Sequence, residues 1–71
     1  MNYTLFEYGK PIAAFEYEED AQKFIKIIRE RNQGLFVTDL NKMYKLEVKG
    51  HKTFYTFGSI LTCSLPEPVV T

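Results

Sequence analysis

One long stretch of this 71-residue chain repeats its apolar side chains at helical spacing, and that restricts the layers it can build. Ala21, Phe24, Ile25 and Ile28 stand at i, i+3, i+4 and i+7, so the spacing predicts a helix over residues 18–31 with one apolar face. Ile27 falls beside that stripe and widens it. Glu18, Glu19 and Asp20 open the segment and Arg29 and Arg31 close it, matching the helix dipole at both ends. Glu18 and Asp20 are the candidate caps, and Gly34 after Asn32-Gln33 is the residue suited to a left-handed stop.

The remaining segments read as strands. Tyr3, Thr4, Leu5, Phe6 and Tyr8 suit a pleated surface, Gly9-Lys10-Pro11 marks a turn, and residues 12–17 follow; together they predict a hairpin of residues 2–8 and 12–17. After Gly34, residues 35–38 read as a strand and 39–42 as a turn. Residues 43–49 alternate cleanly, with Tyr44, Leu46 and Val48 on one side and Lys45, Glu47 and Lys49 on the other. Gly50-His51 makes a second turn before a fifth strand over 52–57. Residues 59–63 read as a short extra strand, and Pro66 and Pro68 keep 65–71 extended or frayed. The expected architecture is an α+β, two-layer ββαβββ fold: an antiparallel sheet of about five strands with one helix on one face. It forms a single domain over residues 1–64 with a Pro-containing tail over 65–71.

One helix covers one side of a sheet, yet aromatics fall on both sides of the strands. Tyr3 and Leu5 oppose Phe6 and Tyr8, and Tyr55 and Phe57 oppose Phe54; the chain has eleven aromatic residues in all. Exposed apolar patches beyond about 300–600 Å² are rare on proteins that stay monomeric, so the second face needs cover. Three occupants suit it: the segment 59–65 folded back, a second copy of the chain, or another macromolecule.

Catalytic chemistry finds little support. His51 and Cys63 are the only soft metal ligands, too few for a zinc site within one chain, and no cofactor is expected. His51 reads as a solvated turn residue and Cys63 as a small, partly buried hydrophobe. No phosphate-cradling glycine loop, nucleophile elbow or HExxH helix is present. Glu16, Glu18, Glu19 and Asp20 cluster near the helix start and could ligate Mg²⁺ or Ca²⁺, but the helix dipole accounts for them without an ion.

Zero net charge conceals an asymmetry. Residues 1–20 sum to −4, residues 21–57 to +5 and the rest to −1. Lys45, Lys49 and Lys52, with Lys42 and His51 nearby, border Tyr55 and Phe57 in a way that suits phosphates and stacked bases.

The sequence therefore predicts a small non-enzymatic protein-interaction module, homodimeric, that binds through an aromatic-rich sheet face or an open strand edge. Met43, Tyr44, Tyr55 and Phe57 are the candidate partner-binding residues. The alternative is a nucleic-acid-binding regulator using Lys45, Lys49, Lys52 and Tyr55; a carboxylate-dependent metal enzyme at Glu16 to Asp20 ranks third. A cytoplasmic location is expected from the lack of a basic, apolar leader and of any uninterrupted apolar run of roughly 18 residues. Seven lysines against two arginines resemble the codon bias of an A+T-rich bacterial or phage genome.

Overall fold

Tyr3–Glu7 (β1) and Lys10–Phe15 (β2) pair antiparallel as the predicted hairpin, but its turn lies earlier than Gly9-Lys10-Pro11. Tyr8 and Gly9 form the loop with φ of 50° and 82°, the two positive angles that a two-residue type I′ turn requires. Lys10 and Pro11 therefore belong to β2, where the register shifts between Leu5 and Phe6 and Pro11 lies opposite Phe6. Proline is tolerated there because β2 is an edge strand. The computed structural model describes residues 2–62 and 65–69.

Glu18–Arg31 forms the expected helix, α1. It starts after the extended residue Tyr17 with no side-chain cap, so neither Glu18 nor Asp20 caps it. Its end also differs from expectation. Asn32 is the cap, its side-chain amide donating to the Ile28 carbonyl at 2.8 Å, and Gly34 is not among the residues with positive φ. Ala21, Ile25 and Ile28 are buried, Phe24 packs its ring 5.5 Å from that of Phe15, and Ile27 stays exposed.

Between α1 and the next strand the sequence reading is overturned. Residues 35–38 are not a strand and 39–42 are not a turn; Val37–Met43 is a second helix, α2. The Asp39 carboxylate accepts the Phe36 backbone N–H at 3.3 Å, satisfying a donor at the helix start. Phe36 has no side-chain acceptor to return that bond. Leu40 is fully buried beneath α2, and Tyr44 one turn later continues its apolar side.

Tyr44–Val48 is β3, with the alternation the sequence predicts: residues 44, 46 and 48 are buried and 45 and 47 exposed. After the Gly50 turn comes Phe54–Thr56, β4, only three residues long. β4 is thus a shortened form of the strand expected over 52–57, and the chain then coils into a third helix, Phe57–Thr62 (α3), where a short extra strand was expected. Thr56 explains the switch locally: its hydroxyl accepts the Ser59 N–H at 3.4 Å, as an N-cap does for the third residue of a helix. Cys63 lies outside the described residues.

Among the described residues the order is thus ββααββα, with four strands and three helices where the sequence reading had five strands and one helix. The sheet is antiparallel throughout, in the order β2-β1-β3-β4. Leu5 pairs with Leu46 at its centre, and both are fully buried. All three helices pack on this one side, where Phe57, Ile60 and Leu40 join Leu5, Leu46 and Val48 in one core. Each such side chain contributes roughly 1.5–3 kcal/mol on leaving water.

Residues 65–69 are docked rather than frayed. Leu65 is buried in the core, its N–H donates to the Glu18 carboxylate at 2.9 Å, and the Val69 N–H donates to the Lys49 carbonyl at 2.9 Å. Gly50, at φ 86°, allows this approach, since a Cβ there would collide with the Val69 side chain. His51 anchors the same stretch through its ring and the Glu67 carbonyl, 2.9 Å apart.

Candidate interaction surface

With every helix on one side, the outward residues of the sheet form a face that no described element covers. The register defines it. Thr4, Glu47 and Phe54 make one row across β1, β3 and β4, and Phe6, Lys45 and Thr56 make the next. Phe6 and Phe54 occupy opposite corners and lean together over β3, their rings edge to face at 5.7 Å. Phe54 is 51% exposed.

At one end this face deepens into a groove of about 400 Å³, lined by Phe6, Tyr8, Gly9, Lys42, Met43, Lys45 and Phe54. Its two walls are tied together, because the Tyr8 N–H donates to the Met43 carbonyl at 2.9 Å and so fastens the β1–β2 turn to the end of α2. Tyr8 itself is 72% exposed. A tyrosine with φ of 50° is strained, since a left-handed conformation costs an L-residue roughly 1–2 kcal/mol. Both charged groups in the groove are lysines.

The edges of the sheet are less inviting than its face. β2 presents Lys10, Pro11 and a register shift, and β4 is very short, all of which discourage pairing with another strand.

Of the residues the sequence put forward for partner binding, the structure brings few to this surface. Tyr44 and Phe57 are core residues with rings 5.7 Å apart. Burial and the Glu7 carboxylate facing it push the Tyr44 phenol up to about 12. Tyr55 points to the inner side opposite Leu46, half-buried, with its ring edge-on to His51 at 6.2 Å. Met43 alone of the four lines the groove, as the last residue of α2 rather than the first of a strand.

The basic strip is likewise dispersed. Lys45 lies on the open face, Lys49 just beyond β3 and Lys52 in the turn before β4, while Tyr55 faces the other way. Phe6, Tyr8 and Phe54 were not put forward as site residues by sequence, and Lys42 was named only as a neighbour of the basic strip. Alternation had set Phe6 and Tyr8 apart from Leu5, and Phe54 apart from Tyr55, but only the strand order shows that Phe6 and Phe54 meet.

The acidic cluster is partly structural. Glu18 accepts hydrogen bonds from Leu65 and from the Gln22 amide at 3.3 Å, and its charge, after burial, raises the Tyr3 phenol, with Glu67 adding to the effect. Among the described residues, no group of three or more His, Cys, Asp or Glu side chains is gathered to hold a metal ion. No helix among them is long and apolar enough to cross a membrane.

Fold and site together define a small two-layer α+β protein whose antiparallel sheet carries helices on one face and solvent-facing aromatics on the other. Comparison with protein-family models, curated proteins and solved structures finds no match.

Proposed function

We propose that this chain is a non-enzymatic protein-interaction module, working in the cytoplasm, that binds through the open face of its sheet. The observation that carries this reading is the Phe6–Phe54 pair, held apolar side outward on a face without cover, while both strand edges are blunted. Aromatic rings placed on a rigid sheet lose little freedom on binding, which suits them to anchor a partner. The test compares partner capture by the natural chain, by Phe6→Ser/Phe54→Ser, and by Ile27→Ser on the helical side. Self-association or capture of a given partner should be lost with the first variant and kept with the second. Capture that survives Phe6→Ser/Phe54→Ser, or a chain that binds neither itself nor any other protein, overturns the reading.

A second reading follows from the two lysines of the groove. Lys42 and Lys45 beside Phe6, Tyr8 and Phe54 suit a single-stranded nucleic acid, with phosphates on the amines and bases on the rings. Of the strip predicted by sequence only Lys45 takes part; Lys42 stands in for Lys49 and Lys52, and Phe54 for Tyr55. Binding to an oligothymidylate that weakens steeply with salt supports it, and no binding at low salt removes it.

A further inference from the structure

The outward residues of β1, β3 and β4 are complementary to themselves. We infer that the partner on the open face is a second copy of this chain, docked face to face about a twofold axis that crosses the strands above Leu5 and Leu46. This rests on the interaction-module reading and names its partner.

The argument is one of register. A twofold axis lying between two stacked sheets and perpendicular to their strands reverses strand direction and leaves position across the sheet unchanged. Set between the two outward rows, it brings the row Thr4, Glu47, Phe54 over the copy's row Phe6, Lys45, Thr56. Glu47 then meets the copy's Lys45, and Lys45 the copy's Glu47. Phe54 lies over the copy's Thr56, and Phe6 over the copy's Thr4. Every facing pair joins opposite charges or a large ring to a small side chain, as an isologous interface requires.

The ring geometry agrees. Phe6 and Phe54 occupy one diagonal of the face and the two threonines the other, so the copy's rings enter the corners these rings leave open. Four rings close into one aromatic cluster, bracketed by two ion pairs. An axis along the strands gives no such match, because each row would then face its own row, with Lys45 set against Lys45 and Glu47 against Glu47.

Size sets the strength. From strand spacing and rise, a four-stranded face of this length measures about 19 by 17 Å, a projected area of roughly 650 Å² over two copies, which is below the standard size and suits a weak pair. A monomer–dimer equilibrium in the micromolar range is the expected result.

Sedimentation equilibrium from micromolar to millimolar concentration tests this on the natural chain, Lys45→Glu, Glu47→Lys and the double exchange Lys45→Glu/Glu47→Lys. Both sites of change are exposed, and melting curves check that each variant folds. Each single variant should weaken the dimer on the order of 100-fold, because it sets like charges opposite each other twice per interface. The double exchange should restore it to within about fivefold, and an equimolar mixture of the two single variants should form a heterodimer. A natural chain that stays monomeric at millimolar concentration overturns the inference, as do single variants that dimerise as tightly as the natural chain or a double exchange that fails to restore association. A monomer that still binds another protein through Phe6 and Phe54 sinks the second copy but leaves the module reading standing; loss of that binding as well sinks both.

Discussion

The same strands build both faces of the sheet, and the two faces meet different ends. On the inner side Tyr3, Leu5, Tyr44, Leu46 and Val48 are buried under the helices, and among the described residues no buried side-chain N or O atom lacks a hydrogen-bond partner. On the outer side Thr4, Phe6, Lys45, Glu47, Phe54 and Thr56 mix apolar, charged and small side chains, and no described element covers them. The inner face holds the chain together. The outer face, with its Phe6–Phe54 ring pair, is where the proposed partner docks. A residue's type says little about which role it plays, since Phe57 and Phe54 are three positions apart and belong to opposite faces.

The comparison breaks most sharply if truncating the two phenylalanines has similar effects. Phe57→Ala empties a fully buried site and should cost about 3–5 kcal/mol, while Phe54→Ala should cost the monomer less than about 1 kcal/mol, both read from urea denaturation at a concentration below dimer formation. High pH probes the inner face alone. The Tyr44 phenol ionises near 10 when unfolded and about 12 when folded, so the native chain keeps a proton that the unfolded chain has released. Stability is therefore constant below pH 10 and declines as pH rises toward 12, by on the order of 2 kcal/mol. Tyr44→Phe should remove most of that slope, with Tyr3, also raised by burial, leaving a smaller remainder.

The two hairpin turns sharpen the contrast further. Gly50→Ala places a side chain at a positive φ and against Val69, so about 1–2 kcal/mol should be lost and the Val69 amide should exchange faster with solvent. Tyr8→Asn, in the other turn, should raise stability by about 0.5–1 kcal/mol because asparagine accepts the left-handed conformation more readily. The same change removes a wall of the outer groove, so any ligand of that groove should bind less well even as the melting temperature rises.

Legibility in the sequence followed the length and regularity of each element. α1 and β3 could be read because their apolar residues keep one period for 14 and five residues respectively. The first hairpin was readable from Gly9 and its flanking aromatics, with the turn displaced because Tyr8 takes an angle that tyrosine disfavours. α2 was missed because Leu35-Phe36-Val37 has strand propensity, although Val37, Leu40 and Tyr44 do stand at i, i+3 and i+7. α3, at six residues, is too short for its period to show. The surface was half legible: Met43 and Lys45 are part of it, but Tyr44 and Phe57 were assigned to binding when they are core.

By itself the sequence determined that a hairpin precedes a single long amphipathic helix, that residues 44–48 present one apolar side, and that aromatics fall on both sides of the sheet. Periodicity is local, and these are local facts. Only the tertiary structure decided that β1 lies between β2 and β3, that residues 57–62 join the inner layer as a helix, and that Phe6 and Phe54 therefore meet on the open face. Strand order and register depend on contacts between residues some forty to fifty positions apart, and no repeat along the chain encodes which of its aromatic sides the helices will cover.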